Sequence, residues 1–387
     1  MRTQTELARD LMAARERTDE LFRLVRPDSL YERPIPERHR IVFYVGHLEA
    51  FDWNLIGRYQ LDLRSFQPEF DRLFAFGIDP PPGQLPADRP SDWPGLAEVE
   101  RYNQRTRDEI DDALAEVPEA LLHVAIEHRL MHAETFAYIL HNLALERKTA
   151  PPRPAPPRET AKPEPGWIEI PAGSARLGRA AEDGFGWDNE FQAHTVDVPA
   201  FSISKYKVTN REYLEFVRSG ADAPFFWTER DGEWFWRGMF AETPLPLDCP
   251  VYVTQREAAA YARWRGKSLP TEPQFHRAAC SPPASGNFDF RHWDPVPVNA
   301  NDAASQSAPA QMFGNGWEWT STVFHPFPGF EPFPFYTNYS EPFFDGEHYV
   351  LKGASPRTAA CFLRTSFRNW FRPSYPYVYA TFRMVES

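Results

Sequence analysis

A two-domain fold class, an α-helical bundle followed by a mixed α+β domain, is predicted by three features of the 387-residue sequence. The first part carries long segments with helical spacing of apolar residues and few internal glycines. The second breaks into short apolar runs separated by Pro, Gly, Asn and Asp. Between Lys148 and Trp167 lies TAPPRPAPPRETAKPEPG. Proline lacks the backbone donor and fixes φ, so this stretch can neither continue a helix nor enter a sheet interior. It reads as an extended linker over 148–166, dividing a domain at 1–147 from one at 167–387.

In the first domain, the apolar period predicts helices over residues 5–25, 38–60, 97–115 and 119–145, and four such segments predict a four-helix bundle. In the second, the runs at 166–171 and 194–203 predict strands. Helices are expected only over 210–219, 255–265 and 272–280, opened by Thr209 or Asn210, by Thr254 and by Thr271, whose side chains can accept from the first free backbone N–H groups. No internal repeat recurs at a fixed period, which disfavours solenoids and propellers.

Charge and cysteine usage narrow the function. With 42 Lys+Arg against 54 Asp+Glu, the net charge of -12 offers no general basic field, so nucleic acid is not an expected partner. No stretch reaches the ~18–20 apolar residues of a membrane span, and the first ten residues lack the apolar core of a signal peptide. Cys249, Cys280 and Cys361 are odd in number and form no Cys-x-x-Cys pair, which argues against a disulfide framework and a cysteine-rich zinc site and fits a cytoplasmic protein. An aromatic fraction of 15% favours an aromatic-lined pocket for a small molecule.

The strongest chemical signal is Leu121-Leu-His-Val-Ala-Ile-Glu-His128-Arg-Leu-Met-His132-Ala-Glu134. Residues 121, 125, 128, 132, 135 and 139 alternate by four and three, which sets His128 and His132 one turn apart on a stripe facing the bundle interior. Two imidazoles so placed can converge on one metal ion. A third donor is offered by His47, inside the apolar run Phe43-Tyr-Val-Gly-His47-Leu-Glu-Ala-Phe, where Gly46 would let a neighbouring helix approach closely. Three neutral imidazoles suit iron(II), zinc or copper without choosing among them. The plainer readings are a structural histidine pair and a hydrogen-bonded core histidine at position 47. His123 and His141 lie off the stripe, and Glu134 points away from the pair.

With these residues in view, the sequence resembles the nonheme-iron sulfoxide synthases of ergothioneine biosynthesis, the EgtB-like enzymes. These combine a DinB-like bundle with a domain like that of formylglycine-generating enzymes. Further stretches carry the resemblance: Phe201-Ser-Ile-Ser-Lys-Tyr-Lys-Val-Thr-Asn-Arg-Glu-Tyr, Gly266-Lys-Ser-Leu-Pro-Thr-Glu, Gly314-Asn-Gly-Trp-Glu-Trp-Thr, Tyr349-Val-Leu-Lys-Gly-Ala-Ser and Ser366-Phe-Arg-Asn-Trp. It implies a C-type-lectin-like second domain, iron(II) held by His47, His128 and His132, and O2-dependent joining of a cysteine-derived sulfur to C2 of the imidazole of hercynine, giving a sulfoxide. In the relatives a tyrosine of a short Tyr-x-x-Tyr segment delivers a proton during oxygen reduction. Here Tyr336-Thr-Asn-Tyr339 stands in that place. The resemblance thus implies Tyr336 as proton donor, Tyr339 as substrate-binding, and Asn369 and Trp370 as contacts of the betaine. A trimethylammonium donates no hydrogen bond and is best held by aromatic faces, which the segment from Asn369 to Tyr379 supplies. Trp317-Glu-Trp319 reads as a fold-defining core element.

Departures from the family pattern are informative. Relatives using γ-glutamylcysteine carry Asp after the Asn-Trp pair and Arg a few residues on; here Phe371 and Arg372 follow, with Tyr375 further along. An ammonium without its carboxylate partner is disfavoured, so cysteine is the expected donor, with Arg368 or Arg372 taking its carboxylate. Met131 stands where some relatives have Gln. Some cysteine-using relatives place their tyrosines in the first domain, where Tyr102 is the nearest candidate. A formylglycine-generating oxidase would need two copper-binding cysteines near the C-terminus, where only Cys361 lies. The alternatives weighed are coupling of a selenosugar to hercynine and a metal-containing ligand-binding module without oxygenase activity.

Overall fold

The computed structural model describes residues 3–78, 84–151, 162–279, 281–300 and 308–386. The chain divides into two compact units, Met1–Pro152 and Arg153–Ser387. Most of the proline-dense stretch, residues 152–161, and Cys280 lie outside the described residues.

The first unit contains helices α1 (Gln4–Phe22), α2 (Ile41–Asp52), α3 (Pro68–Phe76), α4 (Leu96–Ala113) and α5 (Glu119–Asn142). Thr3 opens α1 with a reciprocal pair of bonds to Glu6, and Leu7, Leu11, Ala14 and Leu21 turn its apolar face inward, where α1 packs along α5. The segment expected as one helix over 38–60 starts later and changes pitch: α2 runs on into a π-helical stretch, Trp53–Gln60. The helix expected to reach 145 ends at Asn142.

Among the described residues, α3 is the element that the apolar period missed. It has nine residues and begins at Pro68, too short a run for a helical period to register. It packs tightly all the same. Phe74 is fully buried, worth about 2–3 kcal/mol of removed apolar surface, and its ring lies where a Cβ on Gly46 would stand, 2.5 Å from the nearest ring carbon. The close approach that glycine permits is therefore to α3.

Four helices of this unit are tied by a buried ionic cluster. Arg129 of α5 donates to both oxygens of Glu49 (3.0 and 2.8 Å), to Asp52 (2.7 Å) and to the Leu48 carbonyl (3.1 Å). Arg107 of α4 donates to Glu49 (2.6 Å) and bidentately to Asp19 of α1 (2.8 Å each). Burial alone would raise the Glu49 carboxyl, but Arg129 and Arg107 pull it below the ordinary range; Asp52, for which burial dominates, is raised.

The second unit comprises β1 (Trp167–Ile170), β2 (Gly173–Leu177), β3 (His194–Val198), β4 (Phe201–Ser204), α6 (Asn210–Arg218), β5 (Trp227–Arg230), β6 (Glu233–Arg237), β7 (Glu242–Pro244), α7 (Gln255–Trp264), α8 (Glu272–Ala278), β8 (Gly316–Val323), β9 (Tyr349–Ala354), β10 (Asn369–Phe371), β11 (Ala380–Thr381) and β12 (Val385–Glu386). The run expected as one strand over 194–203 is two, because Pro199 cannot donate to a ladder and the chain turns there. The three helices open on Thr209, Thr254 and Thr271, each with its reciprocal partner three residues on, Glu212, Glu257 and Gln274.

Among the described residues four small sheets result, in the orders β1-β4-β12, β2-β3, β5-β6-β7 and β10-β9-β8-β11. Val385 of β12 pairs with Ile203 of β4, and Ala380 of β11 runs parallel beside Trp317 of β8. Both faces of β8 are buried over its first five residues. Trp317 and Trp319 are almost fully enclosed, while Glu318 between them accepts from Arg383 (3.0 Å) and Lys207 (2.5 Å). Among the described residues no helix is long and apolar enough to cross a membrane.

Candidate metal centre and substrate face

α2 and α5 bring three imidazoles together. One ring nitrogen from each of His47, His128 and His132 lies within 4.8 Å of those of the other two, among the described residues the one group of three or more His, Cys, Asp or Glu so placed. His47 and His128 are buried; His132, one turn along the stripe, is half-buried. The ring nitrogens are directed by their surroundings. His47 Nδ1 donates to the carbonyl of Phe74 in α3 (2.6 Å). A carbonyl can only accept, so this bond places the proton on Nδ1 and leaves the Nε2 lone pair for the centre. Phe51 stacks on His128 (centroids 3.4 Å apart, 11° between planes) and Phe43 on His47 (4.8 Å, 27°).

The donor set fits a metal ion. His47 Nε2 lies 3.2 Å from His132 Nε2. Two nitrogens each about 2.1 Å from one ion are separated by roughly 3.0 Å at a right angle and 3.4 Å at the tetrahedral angle. Burial, then the contact with neighbouring imidazoles, holds His128 and His132 well below the usual histidine range, and burial lowers His47 to about 4. All three are therefore neutral at pH 7, the form that ligates. His132 Nδ1 is buried without a hydrogen-bond partner, while its Nε2 is the nitrogen turned towards His47.

In the second unit an aromatic cluster gathers the tyrosine segment and the Asn-Trp pair. Trp187 stacks on Tyr339 (4.0 Å, 27°) and meets Tyr336 edge-on (6.3 Å). Tyr339 meets Trp370 edge-on (5.3 Å, 79°), and Trp370 stacks on Phe324 (4.3 Å, 6°). Tyr336 is half-buried, and burial, then the Asp188 carboxyl, push its phenol up to about 12, so it holds its proton at neutral pH.

Comparison with known proteins agrees with both halves. The description "DinB superfamily" matches residues 10–161, and "Sulfatase-modifying factor enzyme 1-like domain" matches residues 152–387. A hercynine oxygenase of Mycolicibacterium thermoresistibile is 31% identical over 436 residues, spanning 99% of this chain and 95% of its own length. That of Mycolicibacterium smegmatis is 32% identical over 434 residues, spanning 98% of each. The chain belongs to the hercynine oxygenase family. Ergothioneine biosynthesis protein 1 of Schizosaccharomyces pombe is also similar, 28% identical across 94% of this chain and 54% of its own. The present family member is thus an oxygenase-type enzyme of ergothioneine biosynthesis, with a DinB-like bundle and a formylglycine-generating-enzyme-like, C-type-lectin-like domain.

The other candidate residues of this hercynine oxygenase family member divide. Asn369 accepts from the Trp370 backbone N–H (2.9 Å) and lies in β10 with it. Arg372 keeps an accessible guanidinium, paired with Glu347 (2.8 Å). Arg368 does not: it is fully buried, donates to Glu272 (3.1 Å) and to the His325 carbonyl (3.0 Å), and lies over the Phe327 ring. Tyr102 is enclosed and donates to Asp71 (2.9 Å), in the bundle core. His123, His141 and Glu134 are outside the imidazole group.

Sequence reasoning missed the Phe74 carbonyl and both stacking rings. The rings had a signal, since Phe43, His47 and Phe51 recur at i, i+4 and i+8 on α2. The carbonyl had none, because it belongs to the unforeseen helix.

Proposed function

We propose that this enzyme joins the sulfur of a thiol, cysteine in preference to γ-glutamylcysteine, to C2 of the hercynine imidazole, using iron(II) and O2 and yielding the sulfoxide. The single observation that carries the reading is the convergence of three neutral imidazoles, with the His47 tautomer set by Phe74. The family membership supports it, since relatives bear the name hercynine oxygenase.

The reaction balances with one O2. Thiol S–H and imidazole C2–H are lost, a C–S bond forms and sulfur gains one oxygen; four electrons reduce O2, whose second oxygen leaves as water. Iron(II), when bound by His47, His128 and His132, would supply the one-electron chemistry that lets ground-state O2 react, which redox-inert zinc does not. Phe43 and Phe51 hold the rings in place and keep the surroundings apolar.

Tyr336 is protonated at neutral pH and is assigned to deliver a proton during oxygen reduction. Tyr339, Trp370 and Asn369 bind the betaine, aromatic faces serving the trimethylammonium. Of the two candidate arginines, Arg372 takes the cysteine carboxylate, since Arg368 is fully buried against Glu272 and the His325 carbonyl while Arg372 keeps an accessible guanidinium.

The decisive experiment loads the protein anaerobically with iron(II) and follows O2 uptake and product mass with hercynine and a panel of thiols and selenosugars. Uptake that requires hercynine and cysteine together, with a product of hercynylcysteine sulfoxide mass, is expected. No uptake with any pair removes the proposal, and turnover with a selenosugar alone moves the donor to selenium. His128→Ala should lose stoichiometric iron; a variant that retains it removes the ligand assignment.

A further inference from the structure

The segment carrying Tyr336 and Tyr339 and the segment carrying Asn369 and Trp370 are held by one short turn, Asp188–Glu190. All three side chains of this turn are buried. Ser340, also fully buried, donates its hydroxyl to Asp188 and accepts from Asn189 Nδ2 (2.9 Å), which anchors the end of the tyrosine segment. The backbone of Phe333 bonds to the same Asp188 carboxyl at the segment's start. Next to Asp188, Trp187 forms the floor on which Tyr339 stacks.

Glu190 faces the other way. Its carboxylate accepts from Arg364 (2.6 and 2.9 Å) and from the Ser366 hydroxyl (2.7 Å), three residues before Asn369. The Asn189 carbonyl receives Arg368 (3.4 Å). Two carboxyl groups and an amide, side by side out of water, carry a desolvation cost that only their specific bonds offset. Apart from the Trp187 backbone N–H, which donates to Glu190 within the turn (2.9 Å), the bonds named here end on the two segments that bear residues of the substrate face.

We propose that Asp188, Asn189 and Glu190 are positioning residues for the substrate face: Asp188 and Asn189 set Tyr336 and Tyr339 through Ser340, and Glu190 sets Asn369 and Trp370 through Arg364 and Ser366. This rests on the roles given above to those four residues. A turn that served folding alone would change stability without changing what the face does. A turn that aligns two loops changes binding and product choice even where the fold survives, since an error of about 1 Å in a reacting group costs on the order of a hundredfold.

Four variants of the full chain test this: Ser340→Ala, which removes one hydroxyl, Asp188→Ala, Asp188→Asn, which keeps an acceptor for Ser340, and Glu190→Gln. Three readouts are taken: the dissociation constant for hercynine on metal-free protein by calorimetry, the ratio of sulfoxide to cysteine sulfinic acid with iron(II) and O2, and the melting temperature. Ser340→Ala and Asp188→Ala should lower the product ratio about tenfold, with Asp188→Asn restoring most of it. Glu190→Gln should weaken hercynine binding about tenfold with the product ratio kept.

Variants that melt earlier yet bind hercynine and partition products as the parent does would overturn the proposal. If Asp188→Ala yields no folded protein, Ser340→Ala decides, being the smallest change. Tyr336→Phe is run alongside. An unchanged product ratio there removes the role of Tyr336 itself; a changed ratio there with an unchanged one in Ser340→Ala removes the positioning role. The binding arm, read on Glu190→Gln, stands apart from both.

Discussion

Gly46→Ala should damage the proposed metal centre without touching any of its three histidines. The added Cβ would stand 2.5 Å from the Phe74 ring, a distance at which something must move. Phe74 is fully buried and cannot swing into solvent, so α3 must shift. Overpacking of this kind costs about 1–3 kcal/mol. A contact this short belongs at the upper end, and alanine returns about 1 kcal/mol through its better helix propensity. The net loss is then about 2 kcal/mol, a fall in melting temperature of roughly 4–8 °C for a unit of this size. The same shift lengthens the 2.6 Å bond from His47 Nδ1 to the Phe74 carbonyl. Loss of such a supporting bond typically weakens metal binding by about 10–100-fold. The assay is competition for iron(II) or cobalt(II) against a chelator, beside a thermal melt. Ile110→Val, a cavity on a helix without ligands, serves as control and should lower the melting temperature with metal affinity kept. If Gly46→Ala melts early but holds metal as the parent does, the claim that α3 orients His47 is refuted.

Three other outcomes are expected. Metal-free protein should lose stability as the pH falls from about 6.5 towards 4, because the unfolded histidines take up protons near 6.5 while buried His47 does not until about 4 and His128 and His132 are likewise held down; His47→Gln should lessen, but not abolish, the pH dependence of urea midpoints across that window, and a midpoint independent of pH in the parent would count against burial of neutral histidines there. Arg129→Ala should destabilise the bundle by about 3–5 kcal/mol, since Asp52 stays buried without its cation and Glu49 keeps only Arg107, and Arg129→Ala with urea midpoints like the parent's would contradict the cluster's role. Tyr336→Phe should divert turnover from the sulfoxide to cysteine sulfinic acid by about a hundredfold in ratio, read by mass spectrometry; an unaltered ratio would assign the proton to another group.

Much of the three-histidine cluster was legible because helical geometry is local. His128 and His132 share a stripe of whose other members Leu121, Ala125 and Ile139 are buried and Thr135 half-buried, and period alone located it. The three threonine caps were equally local. What the sequence hid depends on distant partners. The Phe74 carbonyl reaches His47 from a nine-residue helix, and Arg129 finds Glu49 and Asp52 from 80 and 77 residues away. Arg368, next to the Asn-Trp pair, looked available, yet its charge is absorbed by Glu272 on α8. The turn Asp188–Glu190 resembles any acidic loop until Ser340, Arg364 and Ser366 are seen converging on it.

Residues 380–386 complete two sheets by pairing with strands made far earlier, β11 beside β8 and β12 beside β4. During synthesis, Ile203 and Trp317 must therefore wait beside open, hydrogen-bond-hungry borders until this short stretch has been made. A fragment stopping before Ala380 would present those borders to other molecules, and its fate is inclusion bodies rather than a smaller working enzyme.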